Sequence, residues 1–136
     1  MNIIIRQSEE KDFDEIKNIL EKVFEISKKN HTTGEQYYEI VAEVDSNVAG
    51  YVLLTKVMNP NLDGFYYLID YVSVHPDYRG LSLAEKMLEH AKEYAKEKGA
   101  MYLQLTCGKQ RIAAHHVYEK CGFEKRDSDV FRKEMV

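Results

Sequence analysis

The sequence predicts an α/β fold of the α+β type, because segments typical of strands and segments with helical periodicity follow one another along the chain. The order is strand, helix, hairpin, strand, helix, strand, helix and two further strands. The 136 residues, 44% of them hydrophobic and 31% charged, suffice for a buried core of their own. We therefore expect a single domain spanning residues 1–136.

The first strand and the first helix are predicted near the N-terminus. Three consecutive isoleucines, Ile3 to Ile5, have strand character. The run from Asp12 to Glu15 resembles a capping box, in which side chains at the two ends of the first turn bond to main-chain N–H groups. The predicted buried face of the helix that follows consists of Phe13, Ile16, Leu20, Val23 and Phe24.

A polar stretch and a hairpin come next. Residues 26–35 are mostly lysine, threonine and other polar residues, a composition typical of a solvated loop. Tyr37 to Val44 and Val48 to Val57 have strand character, and turn-forming residues separate them. A second loop, residues 58–64, leads to the next strand.

The central strand, turn and helix contain the clearest functional pattern. Tyr66 to Val74 predicts a strand, and the proline at position 76 ends it. Apolar residues at helical spacing from Ala84 onward predict a helix that Gly99 closes. Between them, Arg79 to Ala84 places small residues and an arginine at a helix N-terminus, where free N–H groups and the helix dipole stabilise a phosphate. An ordinary strand-to-helix connection has a similar composition, so the turn alone does not distinguish the two.

Three more strands and one helix are predicted in the C-terminal part. Met101 to Thr106 has strand character, and Arg111 to Lys120 has the pattern of a short helix. Phe123 to Arg126 and Val130 to Met135 are predicted to form a last hairpin around an Asp-Ser-Asp turn.

Composition and charge argue against several classes of protein. The net charge of −4, without a concentrated basic block, argues against a nucleic-acid partner and is compatible with a cationic or amine ligand. No apolar segment is long enough to span a membrane, and charges from Arg6 onward interrupt any signal peptide, so we expect a cytoplasmic protein without a membrane partner. Cys107 and Cys121 lack metal-ligand spacing, and no histidine pair suggests a metal, so we expect two buried free thiols and no metal.

Two motifs resemble those of a known superfamily. Arg79 to Ala84 is similar to the acyl-CoA-binding motif of the GNAT N-acetyltransferases, Arg/Gln-x-x-Gly-x-Gly/Ala, with Ser82 in the position of the middle glycine. Ala114 to Phe123 is similar to a second signature, Ala-x-x-x-Tyr-Glu-Lys-x-Gly-Phe. The order of elements along nearly the whole chain also matches that superfamily.

The resemblance implies a fold and a cosubstrate. The fold would be a mixed central sheet of six to seven strands, splayed at the cofactor site and flanked by about four helices. The cosubstrate would be acetyl-CoA, with its pyrophosphate on the N–H groups of residues 80–84 beside Arg79 and its pantetheine arm along the central strand. The residues that the resemblance assigns to the cofactor are Val72, Ser73, Val74, Arg79, Gly80, Leu81, Ser82, Leu83, Ala84 and Arg111.

The resemblance also implies acetyl transfer to a primary amine of a small metabolite or a protein, by direct attack on the thioester. Tyr118 is the predicted general acid, since a phenol is protonated at neutral pH and can protonate a leaving thiolate; the alternative is a tyrosine that only packs in the core. Asp70, on the central strand, is the predicted base, and a structural hydrogen-bond partner is the alternative. Water remains open as the base, and weaker candidates for that role are Glu39, Glu43 and His31.

Several points stay open at this level. Arg111 stands where many members have an asparagine that contacts the pantetheine, and Lys109, Arg111 or Lys120 could instead meet an adenosine phosphate. The competing hypotheses are a non-catalytic acyl-CoA-binding regulatory module of the same fold and a purely structural domain. The amine acceptor would be set by residues 26–36 and 58–65, and the oligomeric state, including a homodimer, is left open.

Overall fold

A computed structural model describes residues 1–136. Its centre is one five-stranded sheet, in which the strands are ordered as they occur along the chain. The first four strands are antiparallel to their neighbours, and the fifth runs parallel to the fourth. The strands are β1 (Ile3–Gln7), β2 (Tyr37–Val44), β3 (Asn47–Asn59), β4 (Gly64–Val74) and β5 (Leu103–Gln104).

Three α-helices accompany the sheet. They are α1 (Phe13–Phe24), α2 (Leu83–Lys98) and α3 (Ile112–Lys120). Helix α2 makes the crossover that a parallel pair such as β4 and β5 requires. None of the helices combines the length and the apolar character needed to cross a membrane.

The sheet is covered on both faces. Residues of α1 pack with Val41 and Tyr51, whereas residues of α2 pack with Ile40 and Ala42. Because neighbouring residues of a strand point to opposite faces, α1 and α2 lie on opposite sides of the sheet. Val117 and Tyr118 of α3 pack against the same apolar cluster as α2, so α3 lies on the α2 side.

The predicted capping box at the start of α1 is wrong. Asp12 has a helical backbone and makes no side-chain cap, because its carboxylate is bound by Arg6 through two bonds of 2.8 and 2.9 Å. Asp12 instead accepts the N–H of Glu9 at 2.7 Å. This bond lies at the start of a short 3-10 turn, Glu10–Asp12, which directly precedes α1. Glu15, the predicted far end of the box, accepts the N–H of Val48 at 2.8 Å.

The sheet has fewer strands than predicted, and the flanking helices number three. Phe123 to Arg126 and Val130 to Met135 form no strand, and the last strand before them is only the pair Leu103–Gln104. A two-residue edge strand offers too few main-chain groups for a hairpin to pair with. Phe131 is consequently 93% exposed.

The loop between α1 and β2 contains no helix or strand, in agreement with the solvated loop predicted there. The two cysteines are unpaired; Cys121 is buried, whereas Cys107 is only half-buried, contrary to the prediction that both are buried.

Candidate active site

The turn between β4 and α2 is a cluster of free main-chain donors. After a 3-10 turn at Pro76–Tyr78, the chain passes through Arg79 in an extended conformation and reaches α2 at Leu83. The first hydrogen bond of the helix joins Lys86 N–H to Ser82 O at 3.1 Å. The N–H groups from Gly80 to Glu85 donate to no acceptor in the protein.

The conformation of the turn depends on two residues with positive φ. Gly80 has φ of 86°, and a Cβ added there would meet no atom within 4 Å, so the space in front of the turn is open. Ser82 has φ of 57° and makes no side-chain cap, so it serves as the left-handed hinge before the helix rather than as a capping residue. This conformation explains why a glycine is common in that motif position.

The remaining predicted residues of the turn divide into two groups. Arg79 is exposed and pairs with no carboxylate, so its charge is available to a ligand. Leu83 is 2% exposed and packs in the core, which anchors the helix end. Leu81 and Ala84 are half-buried. The sequence prediction that α2 begins at Ala84 is off by one residue.

Strand β4 is unpaired on one side over its second half. Strand β5 pairs with it only through Tyr67 and Leu68, so Ile69 to Val74 have no strand neighbour on that side. Val72 and Val74 are half-buried against the α2 cluster, and Ser73 is 3% exposed. The splay that the resemblance implied between the central strand and the next one is therefore present.

A bulge in β4 lies beside this open edge. Opposite β3, the pairing passes from Asp70 with Leu53 to Ser73 with Tyr51, so β4 has one extra residue there. Tyr71 has φ of 60°, which is unusual for a tyrosine. Its ring meets the Phe24 ring edge-on at a centroid distance of 5.5 Å, on the α1 side of the sheet.

Asp70 is half-buried and has no partner. Its carboxylate accepts no hydrogen bond and pairs with no cation. Burial raises the pKa of Asp70 above its usual value. Because Asp70 lies across from Leu53, whose side chain packs on the α1 cluster, its side chain lies on the α1 side.

Tyr118 lies on the opposite side of the sheet. Its ring is half-buried and meets Phe123 edge-on at 6.2 Å, while its hydroxyl makes no hydrogen bond within the protein. Burial raises the pKa of Tyr118; the nearby Cys107 adds to this increase and Arg111 opposes it. The phenol is thus protonated at neutral pH and unpartnered.

Arg111 precedes α3 as an exposed residue, and its carbonyl accepts the N–H of His115 at 3.1 Å. His115 points its ring at Gly108 O, 2.8 Å away. No group of three or more His, Cys, Asp or Glu side chains is close enough to hold a metal ion.

Two features of this region were not predicted from the sequence. The bulge at Tyr71 had no sequence signal, because an aromatic residue in a β-rich run predicts a regular strand. The partners of Glu39 were also missed, because Glu39 shares its face of β2 with Tyr37, Val41 and Glu43, and a face of that composition does not predict burial.

A free N–H cluster at a helix start, an open strand edge and an unpartnered phenol are parts that a thioester-binding acyltransferase needs. The sequence profile of the acetyltransferase (GNAT) family matches residues 4–123. The chain belongs to the acetyltransferase (GNAT) family, and the resemblance seen in its two motifs is confirmed.

Individual relatives agree with this assignment. An acetyltransferase of Yersinia pestis is 27% identical over 97 residues, which are 71% of this chain and 64% of that protein. A Bacillus subtilis protein with the provisional name ribosomal protein bS18-alanine N-acetyltransferase is 33% identical over 85 residues, 62% of this chain and 52% of its own. The alignments therefore span less than two thirds of these relatives' lengths.

The fold has the same outline as solved structures. The structure of AAC(6')-Iy in complex with the bisubstrate analog CoA-S-monomethyl-acetylneamine superposes with a TM-score of 0.82 over 100% of both chains, at 12% identity. At that identity the likeness concerns the fold, and it confirms the predicted α/β class while the strand count is corrected to five.

Proposed function

We propose that this protein is an acetyl-CoA-dependent N-acetyltransferase that acts on a primary amine of a small metabolite or a protein. The single observation that carries the proposal is the row of unpaired N–H groups from Gly80 to Glu85, beside an open edge of β4. Family membership supports acetyl transfer. The presence of a CoA-containing analog in AAC(6')-Iy supports the choice of cosubstrate.

The free donors would hold the pyrophosphate. A doubly charged group in front of α2 would accept hydrogen bonds from these N–H groups and would be stabilised by the positive end of the helix dipole. Arg79 is exposed and unpaired, so its guanidinium can join that contact. Glu85, the acidic residue in the first turn of α2, pairs with Lys120 at 3.2 Å, and no side chain of the protein accepts from the free N–H groups.

The open edge of β4 would hold the pantetheine arm. Amide groups of the arm can pair with main-chain groups of Val72 and Val74 in the way a missing strand would. The bulge at Tyr71 turns the local main chain, so an N–H there can polarise the thioester carbonyl. The amine then attacks the carbonyl carbon, and the C–S bond breaks to give an amide and a thiolate.

Asp70 and Tyr118 would move the protons. Asp70 lies on the α1 side, where its free carboxylate can take a proton from the acceptor's ammonium group, directly or through water, so that the neutral amine can attack. Tyr118 lies on the α2 side, where its free hydroxyl can protonate the departing thiolate. The gap between β4 and β5 would let a thioester contact both faces, and no observation favours a non-catalytic module over this arrangement.

The direct test is a free-thiol assay with acetyl-CoA and a panel of amines. The panel includes a polyamine, an amino sugar, an aminoglycoside and a peptide with an N-terminal alanine. Thiol release that depends on one of these amines is the expected result. Tight binding of acetyl-CoA without release for any amine would favour the non-catalytic module.

The role of Asp70 predicts a pH-dependent loss in Asp70→Asn. If the carboxylate prepares the amine, kcat/KM for the amine should fall about tenfold or more, and most at acidic pH, where the acceptor is most protonated. The measurement is a pH–rate profile of both proteins.

Stability separates this role from a structural one. Burial raises the Asp70 pKa and no partner compensates, so ionisation of Asp70 favours the unfolded state as pH rises past its unfolded pKa. Asp70→Asn should therefore melt at the same temperature as wild type or higher at neutral pH. A variant that melts lower but keeps the wild-type rate profile would make Asp70 a structural residue.

A further inference from the structure

The carboxylate of Glu39 attaches the loop between α1 and β2, residues 25–36, to the sheet. Glu39 is only 3% exposed. Thr32 Oγ1 donates to its Oε2 at 2.8 Å, and Lys28 Nζ lies 3.2 Å from the same oxygen. Lys28 also donates to Thr32 Oγ1 at 2.6 Å. The middle of a loop without helix or strand is therefore held by one buried side chain.

Two donors from outside the loop complete the set. Ser8 Oγ donates to Glu39 Oε1 at 2.9 Å, and the Tyr51 hydroxyl donates to Oε2. Burial opposes ionisation of Glu39, but the hydrogen bonds from Tyr51, Thr32 and Ser8 and the charge of Lys28 hold its pKa below the usual value. Glu39 is thus an ionised anchor whose oxygens are occupied, which removes it as a candidate base.

Tyr51 reaches from this anchor to the bulge in β4. Its side chain is 1% exposed and ends at Glu39. Its main chain pairs with Ser73, and the Ser73 hydroxyl lies 3.2 Å from Tyr51 O and 2.9 Å from Tyr71 O. Tyr71 in turn touches Phe24, the last residue of α1 before the loop.

We propose that Tyr51 is a positioning residue that couples the loop of residues 25–36 to the bulge at Tyr71. The inference rests on the proposed function, in which the amine enters on the α1 face beside Asp70. Tyr51 is buried, its hydroxyl bonds to Glu39, and its main chain bonds to Ser73 beside the bulge. It therefore fixes the positions of the loop and of the bulge, the two sides of that entrance, relative to each other. Neither side can shift without disturbing a bond made by Tyr51 or its partner Ser73.

Kinetics test the proposal with a matched pair of variants. Tyr51→Phe keeps the ring and removes the hydroxyl, and KM for the amine should rise about tenfold while KM for acetyl-CoA stays within about twofold. The control is Tyr38→Phe, which removes a hydroxyl 2.9 Å from His90 Nε2 on the α2 side of the sheet. The control should lose stability without an effect on the amine KM. A Tyr51→Phe protein that is less stable but has an unchanged amine KM would overturn the proposal.

Hydrogen exchange tests the coupling without any amine. Thr32→Val removes a loop bond to Glu39 at nearly constant volume, and it should speed amide exchange both in residues 25–36 and in residues 70–74 of β4. Faster exchange in the loop alone would show that the two sides are independent. Because this measurement needs no turnover, its failure leaves the transferase proposal standing, and a failed thiol assay leaves this test valid.

Discussion

Replacing Tyr118 with phenylalanine is expected to lower kcat by a factor of about 10² to 10⁴, the usual contribution of a general acid. The substitution keeps the ring, its contact with Phe123 and nearly all its buried area, so the fold should be undisturbed. The hydroxyl bonds to nothing in the protein, and its removal leaves no partner unsatisfied. Steady-state kinetics and calorimetric binding of acetyl-CoA measure the two quantities separately.

The affinity for acetyl-CoA should change by less than about twofold in this variant, because the donors at the start of α2 remain in place. Tyr102→Phe is the control: the Tyr102 hydroxyl also lacks a protein partner, and its ring stacks on Tyr66 of β4 at a centroid distance of 4.7 Å. The control should turn over like wild type. A Tyr118→Phe enzyme with the wild-type kcat would show that the thiolate leaves without help or is protonated by water.

Replacing Gly80 with leucine should weaken acetyl-CoA binding by a factor of about ten or more, which corresponds to about 1.4 kcal/mol. A Cβ there would meet no atom of the folded protein, and we expect a bulky side chain in this turn to compete with the pyrophosphate proposed to lie on its free N–H groups. Titration calorimetry with acetyl-CoA and with free CoA checks the expectation.

Gly99→Leu, at the other end of α2, is the control for the backbone strain that a side chain causes at positive φ. Gly99 has φ of 81° and no atom within 4 Å of an added Cβ, so it matches Gly80 in conformation and in space. Each variant pays about 1–2 kcal/mol for a side chain at positive φ. Only Gly80→Leu should lose affinity. Equal affinities in the two folded variants would move the pyrophosphate away from this turn.

Local chemistry made the turn and its helix predictable. Pro76 ends a strand, Gly80 permits a positive φ, and the apolar residues at helical spacing from Ala84 to Ala95 form the core-facing side of α2. These rules act within a few residues, so they need no knowledge of the rest of the chain. The lack of a hydrogen-bond partner for the Tyr118 hydroxyl could not be predicted in the same way, because it depends on which elements pack around α3.

Tertiary contacts produced the features that the sequence did not reveal. Tyr71 would normally extend a strand, yet it lies in the bulge between Asp70 and Ser73, which pair with β3, and its ring contacts Phe24. Glu39 was weighed as a possible base because a lone carboxylate has no visible partners in a sequence. Its donors come from three separate segments, at Ser8, in the loop that contains Thr32, and at Tyr51 in β3.

The C-terminal hairpin is a case in which two strands were predicted and neither formed. Val130 to Met135, which follows an Asp-Ser-Asp turn, was predicted to be a strand, but strand formation also requires a neighbour with free main-chain groups. Strand β5 has only two residues, Leu103–Gln104, and supplies too few. The predicted hairpin therefore has no neighbouring strand of sufficient length to pair with.

The open half of β4 also bears on the solubility of the protein. Ile69 to Val74 form a strand edge with no neighbour on one side, and Val72 and Val74 add apolar surface to it. Such an edge is a template on which a strand of another molecule can pair, the first step of ordered aggregation. A cosubstrate lying along the edge would occupy the same main-chain groups. On the proposed function, the ligand-free protein would be the aggregation-prone form, and bound acetyl-CoA would cover the edge.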